Sequence, residues 1–371
     1  MALPQRKIIH VDCDCFFAAV EMRDQPAWRD IPLAVGGQPD SRGVIATCNY
    51  LARRYGVRSA MSSARALHLC PALLIVPPDF ARYKAASQRI LAIYQDFTEL
   101  IEPLSLDEAY LDVSGRPHCQ GSASLMAAAI RRRIRDEVGI TASAGIAPNK
   151  FLAKVASDWN KPDGQFVIRP EDVDAFVSAL PVEKIPGVGA VTASRLHALG
   201  VRHCEALRGW ELAELVRHFG RFGERLHALA HGIDPRPVSV ERLRKSISVE
   251  ETYPVDLPDL AACQAKLPEL MERLAHRLER AGRPAFRGLN VKIKFADFSQ
   301  TTVEQVGQQL SPDTLAALLQ VGHARGAQPV RLLGVGVRLA ADDAEPRQLT
   351  LFHSDEPAGG GKSRGKADLS S

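Results

Sequence analysis

Two apolar runs in this chain are broken by carboxylates where a buried strand would be expected. Ile8-Ile9-His10-Val11-Asp12-Cys13-Asp14-Cys15-Phe16-Phe17 lies near the N-terminus, and Pro103-Leu104-Ser105-Leu106-Asp107-Glu108-Ala109-Tyr110-Leu111-Asp112-Val113 lies far downstream. An unpaired carboxylate is costly to bury. If the two runs meet, each pair of anions about 4 Å apart repels by roughly 4 kcal/mol at an effective dielectric near 20. A fold that joins them needs something cationic there, and a cluster of Asp and Glu oxygens suits Mg²⁺. Two-metal phosphoryl or nucleotidyl transfer is one reading. The other is that these acids are caps and solvated turn residues at strand ends.

A chain of 371 residues, 46% of them hydrophobic, has room for two to four domains with real cores. No stretch approaches the ~18 uncharged apolar residues of a membrane span. The basic N-terminus precedes an apolar run too short for a signal peptide and broken by His10 and Asp12. Seven cysteines, with no Cys-x-x-Cys spacing, argue against a disulfide framework or a structural zinc, and point to reduced thiols in the cytoplasm. A net charge of +4 is mild, so the placement of charge must identify the partners.

Along the first part, strand signals at 8–12, 32–37 and 43–47 alternate with helical signals at 16–22, 82–100 and 122–138. From 171 to 236 the text is helical, broken by Ile185-Pro186-Gly187-Val188-Gly189 and Phe219-Gly220-Arg221-Phe222-Gly223. A linker follows, then a last globular segment ending near Leu339 and a tail rich in Gly, Lys, Arg and Ser that is expected to be disordered.

Three further patterns carry chemistry, each with a plainer alternative. Gly187 and Gly189 would let backbone N–H groups approach a DNA phosphate, or would serve any tight turn between helices. Lys292 and Lys294 alternate with apolar residues, so both project from one strand face, near an arginine row at Arg273, Arg277 and Arg280. That suits a phosphate backbone or an ordinary solvated strand. Thr47, Asn49, Tyr50, Arg53, Arg54 and Arg58 form a polar set in which Tyr50, Arg53 and Arg54 share a helix face. It suits a triphosphate, with Lys150, Lys154 or Lys161 joining it, or a bland surface helix. Gln348-Leu349-Thr350-Leu351-Phe352, beyond the last packed domain, reads as a short docking peptide or as a final strand.

Taken together, the acidic runs, Gly43-Val44-Ile45-Ala46-Thr47-Cys48-Asn49-Tyr50, Ser143-Ala144-Gly145-Ile146-Ala147, Asn160-Lys161-Pro162, Ile185 to Gly189, and Arg242-Leu243-Arg244-Lys245-Ser246 resemble the Y-family translesion DNA polymerases over nearly all of residues 5–352. The resemblance implies a multidomain α/β (α+β) right hand. Its palm, with a mixed sheet, is expected at 1–15 and 80–170, its fingers at 16–79 and a helix-hairpin-helix thumb at 171–236. A linker at 237–245, an α+β little finger at 246–341 and a flexible tail at 342–371 complete it.

By the same resemblance Asp12, Asp107 and Glu108 look like ligands of two Mg²⁺ ions, with the Cys13 backbone carbonyl completing a site. Thr47, Tyr50, Arg53 and Lys161 match triphosphate contacts, and Phe17 matches a steric gate beneath the deoxyribose. Gly187, Gly189, Arg244, Lys245, Lys292 and Lys294 are the expected DNA contacts; Gln348, Leu349, Leu351 and Phe352 are the expected sliding-clamp contacts. Asp14 and Asp112 are expected to be structural. Ser62 stands where relatives often have proline, which implies a looser turn.

The implied protein is a monomeric, cytoplasmic, template-directed and Mg²⁺-dependent DNA polymerase without proofreading, acting on primer-template DNA and dNTP. A non-catalytic DNA-binding scaffold would not need all three carboxylates, and a nucleotide cyclase would not need a thumb or a clamp peptide.

Overall fold

The computed structural model describes residues 6–241 and 243–340. The chain divides into two compact units: one runs to Leu243, the other starts at Arg244, and Thr252–Asp256 are counted with the first.

The first unit begins with β1 (Ile8–Cys13), α1 (Phe16–Asp24), β2 (Leu33–Gly36), β3 (Ile45–Cys48), α2 (Tyr50–Arg54), α3 (Ser63–Leu69) and β4 (Leu74–Val76). It continues with α4 (Phe80–Gln95), β5 (Ile101–Pro103), β6 (Glu108–Asp112), α5 (Ala123–Arg133), β7 (Ala142–Ala147), α6 (Lys150–Ser157) and β8 (Gln165–Val167). Five strands form one sheet in the order β5-β6-β1-β7-β8. β1 runs antiparallel to both β6 and β7, and Asp12 lies opposite Glu108 on one side and Ser143 on the other.

This central position explains the nearly unbroken apolar text of β1, because both faces of the strand are buried. Ile9 and Val11 join Leu111, Ile93 and Ile130 in a core under α4 and α5. Ile8 and Tyr110 join Phe151 and Leu152 of α6 on the opposite face. α6 lies so close to β7 that a Cβ at Gly145 would collide with the Ala153 carbonyl oxygen and the Ser157 amide nitrogen. That contact brings Lys154 to Glu108 at the acidic end of β6, while Lys150 pairs with Glu102 of β5.

β2, β3 and β4 form a separate three-stranded sheet in the order β3-β2-β4, with its own small core of Ala34, Ile45, Ala52 and Ala66. The turn at Ser62 leads straight into a helix. Ser62 is the N-cap of α3, its hydroxyl accepts from the Arg65 N–H at 3.3 Å, and the next residue's N–H reaches the Gly43 carbonyl at 2.9 Å. A serine at this position satisfies one of the free N–H groups of the helix's first turn.

The segment after residue 170 is helical, as expected: α7 (Val173–Ser178), α8 (Ala190–Ala198), α9 (Cys204–Arg208), α10 (Leu212–Phe219) and α11 (Arg221–Ala230). The turn before α8 needs a glycine at 187, where φ is +102°.

The second unit comprises β9 (Ser246–Leu257), α12 (Leu260–Gln264), α13 (Leu267–Arg280), β10 (Phe286–Phe295), β11 (Gln300–Val306), α14 (Pro312–Ala324) and β12 (Val330–Leu339). Its sheet order is β11-β10-β12-β9. Leu289, Val291, Ile293 and Phe295 alternate inward, as the sequence predicts. The paired outward lysines, however, do not stand equally free. Lys292 is held by the Glu250 carboxylate at 2.9 and 3.0 Å, whereas Lys294 lies over the Phe298 ring, 4.9 Å from its centroid. In the arginine row, Arg273 pairs with Glu251 and Arg277 donates to the Ser248 carbonyl.

Candidate active site

Pairing of β1 with β6 brings the two acidic runs together. The Cys13 N–H donates to the Asp107 carbonyl at 3.0 Å, so the strand ends carrying Asp12 and Asp107 are neighbours. Both carboxylates line a cavity of about 290 Å³, together with Cys13, Phe17, Thr47, Arg53 and Lys161. Cys15, Phe16, Ala46 and Ser59 complete its wall.

Glu108 turns elsewhere. Its carboxylate pairs with Lys154 of α6, and His10 Nε2 stands 3.4 Å away. Among the described residues, no three acidic, histidine or cysteine side chains converge closely enough to hold a metal ion. Asp12 is also paired, with Lys161 Nζ 2.8 Å from Oδ2, and Asp158 lies 3.2 Å from the same ammonium. The mutual repulsion foreseen from the sequence is thus met here by lysines.

Burial pushes the carboxyls of both Asp12 and Asp107 above the usual range; Lys161 partly offsets this at Asp12, whereas Glu108 adds to it at Asp107. At Lys161 burial opposes the charge, yet Asp12 and Asp158 outweigh it and hold the ammonium above its ordinary range. Glu108 moves the other way, to about 2, through the His10 edge and then Lys154, against burial. His10 is wholly buried, which pushes its imidazole down and keeps it neutral near pH 7. Two hard-oxygen carboxylates kept basic by burial, on adjoining strands of one cavity, fit a divalent cation.

The cavity floor is aromatic. Phe17 stacks on Tyr83 of α4 with ring centroids 4.3 Å apart and planes 14° apart, and Phe80 meets it edge-on at 5.8 Å. Its neighbour Phe16 is buried in the core. The Arg53 guanidinium reaches the Cys48 carbonyl at 3.2 Å and lies 4.6 Å from the Tyr50 ring centroid. Tyr50 itself turns its hydroxyl to Asp14, at 3.4 Å. Asp14 and Asp112 serve the scaffold, Asp112 by accepting from the Ser114 N–H at 2.9 Å.

Sequence reasoning left unassigned the pairing of Lys154 and His10 with Glu108. The only sequence signal was a histidine breaking an apolar run. Elsewhere, Gly187 and Gly189 shape the turn into α8, with Gly189 as a cap that uses no side chain. Arg244 and Lys245 are exposed. Arg242 and the peptide Gln348 to Phe352 lie outside the described residues.

Carboxylates on paired strands thus stand over an aromatic floor and face lysine and arginine. Three family models match in chain order: the impB/mucB/samB family at residues 11–158, the DNA polymerase-iota thumb domain at 183–234, and the impB/mucB/samB family C-terminal domain at 244–351. A DNA polymerase IV of Ectopseudomonas mendocina is 60% identical, covering 94% of this chain and 100% of its own length. One from Ralstonia nicotianae is 57% identical, covering 95% and 99%. A solved Y-family DNA polymerase chimera of Dbh and Dpo4 superposes with a TM-score of 0.82 at 29% identity, covering 90% of this chain and 98% of the other.

The chain belongs to the impB/mucB/samB family, the Y-family DNA polymerases. It is a template-directed, translesion DNA polymerase that joins dNTP to primer-template DNA, and enzymes of this family use divalent metal ions. The scaffold and cyclase readings are not favoured. Among the described residues no helix is long and apolar enough to cross a membrane.

Proposed function

We propose that Asp12, Asp107 and Glu108, with the Cys13 carbonyl, hold two Mg²⁺ ions at the mouth of this cavity, and that nucleotidyl transfer occurs there. The observation that carries this reading is that Asp12 and Asp107 share one cavity with Phe17, Thr47, Arg53 and Lys161. Bound metal would lower the pKa of the primer 3′-hydroxyl and neutralise the triphosphate and leaving pyrophosphate.

The chain's own side chains do the rest. Lys161 and Arg53 supply positive charge and Thr47 a hydroxyl donor for the triphosphate, and Tyr50 completes the set with its ring against Arg53, its own hydroxyl proton being held by Asp14. Phe17, braced by Tyr83, lies under the sugar and excludes a 2′-hydroxyl. Glu108 has to leave Lys154 or share its second oxygen to serve as a ligand, so α6 sets how readily the third carboxylate joins the site.

In this reading residues 1–15 and 80–170 are the palm, 16–79 the fingers, 171–236 the thumb, 237–245 a linker and 246–341 the little finger. Gly187 and Gly189 offer backbone N–H groups to the duplex, and Arg244, Lys245, Lys292 and Lys294 offer charge. Gln348, Leu349, Leu351 and Phe352 dock a monomeric, cytoplasmic enzyme on the sliding clamp, and the tether raises its effective concentration at the primer end.

Substituting Asp107→Ala tests the assignment: primer extension is expected to vanish while the Kd for primer-template, read by fluorescence anisotropy, stays nearly unchanged. Retained extension removes the metal role.

A further inference from the structure

Asp14 is a carboxylate that the transfer reaction does not use, yet it is only 1% exposed. A buried carboxylate with no ion-pair partner persists only where donors satisfy its oxygens. Oδ1 accepts from Ser143 Oγ at 2.9 Å and from the Tyr50 hydroxyl at 3.4 Å. Oδ2 accepts from Thr141 Oγ1 at 2.8 Å and from the Asp163 N–H at 2.8 Å.

These donors come from separate parts of the fold. Thr141 immediately precedes β7 and Ser143 lies within it, and β7 is the neighbour of β1. Tyr50 opens α2, beside the small sheet. Asp163 closes the loop that carries Lys161, and its far side is already fixed, with the Asp163 carboxylate taken by Arg131 and Arg135, each at 2.8 Å.

Beyond its donors at β7, this carboxylate reaches Tyr50 and the Lys161 loop, the two segments assigned above to the triphosphate. Tyr50 in turn carries the Arg53 guanidinium, 4.6 Å from its ring centroid.

We propose that Asp14 is the positioning residue of the triphosphate cradle: one carboxylate, two residues after Asp12 on the same backbone, sets both Tyr50 and the Lys161 loop in register with the strand that binds metal. The inference rests on the reading of Tyr50, Arg53 and Lys161 as triphosphate contacts. Its physical content is geometric. Without the acceptor, the Tyr50 hydroxyl and the Asp163 N–H each lose a buried partner and must seek another, so both segments move relative to Asp12. Contacts made to the nucleotide before chemistry are then lost, which raises KM more than it lowers kcat.

The experiment is single-nucleotide insertion kinetics on Asp14→Ala, Asp14→Asn, Tyr50→Phe and Lys161→Ala, with primer-template affinity and melting temperature measured on each. Asp14→Ala is expected to raise the KM for dNTP roughly tenfold or more, lower kcat about threefold or less, and leave primer-template affinity unchanged. Asp14→Asn, which keeps one acceptor oxygen, should fall between it and the parent. In the Asp14→Ala background, Tyr50→Phe should add little further KM effect, because the two act through one contact.

A KM unchanged in Asp14→Ala, or effects of Asp14→Ala and Tyr50→Phe that simply add, overturns the proposal while the cradle reading stands. If Tyr50→Phe and Lys161→Ala themselves leave KM unchanged, the cradle reading fails first. Should Asp14→Ala not fold, the pair Thr141→Val with Ser143→Ala frees the carboxylate to rotate. That pair should raise KM about threefold or more, and an unchanged KM overturns the proposal.

Discussion

Lys161 Nζ stands 2.8 Å from Asp12 Oδ2, so the first carboxylate of the acidic pair is already answered by a cation from the loop that follows α6. A divalent ion must displace that ammonium, whereas a nucleotide's phosphates would draw it away. In the proposed reading, metal and nucleotide binding are coupled through this one side chain. Lys161→Met should bind Mn²⁺ about five- to tenfold more tightly without nucleotide, by electron paramagnetic resonance titration, while raising the KM for dNTP. Unchanged or weaker Mn²⁺ affinity removes the competition.

Phe17 is held flat by Tyr83, whose hydroxyl is anchored on Glu21 at 2.6 Å. In the proposed reading this braced ring is what meets the sugar. Phe17→Ala should reduce discrimination against ribonucleotides by about two orders of magnitude, read as the ratio of kcat/KM for dNTP and rNTP. Unchanged sugar selectivity refutes the gate.

Glu108 is held at about 2 by His10 and Lys154, below its ordinary 4.5. A depressed acid stabilises the fold above its unfolded value, and that contribution fades as pH falls through the folded one. At pH 7 without metal, Glu108→Gln should therefore lose on the order of 2 kcal/mol in chemical denaturation. The gap to the parent should narrow from about pH 4.5 toward pH 2. A gap independent of pH excludes this pairing as its source.

Gly145 marks where α6 touches β7, and the Ala153 carbonyl and Ser157 amide leave no space for a methyl group. Gly145→Ala should destabilise the fold by about 2–3 kcal/mol and, by lifting Lys154 and His10's partner Ser157 off the sheet, lower kcat as well. A melting temperature equal to the parent's contradicts this packing.

Deleting residues 348–352 should abolish stimulation by the sliding clamp and leave clamp-free extension intact. Equal loss in both assays makes the segment part of the folded enzyme.

Much of this molecule was legible in its text. The largely apolar text of β1 told of a buried strand, and the carboxylates at its end and at 107–108 told where to look for the chemistry. The alternation in β10 separated its inner from its outer face. The family resemblance set the expected thumb and triphosphate residues in order along the chain. Such signals are local, since periodicity records which side chains are turned from water.

The tertiary structure alone decided which distant charge meets which. It paired Asp12 with Lys161, turned Glu108 from its acidic neighbours to Lys154 and a neutral His10, and held Lys292 on Glu250. It also made Asp14, unremarkable as a letter, the meeting point of four donors. Ion pairs depend on distances between segments far apart along the chain, and no spacing within one segment records them.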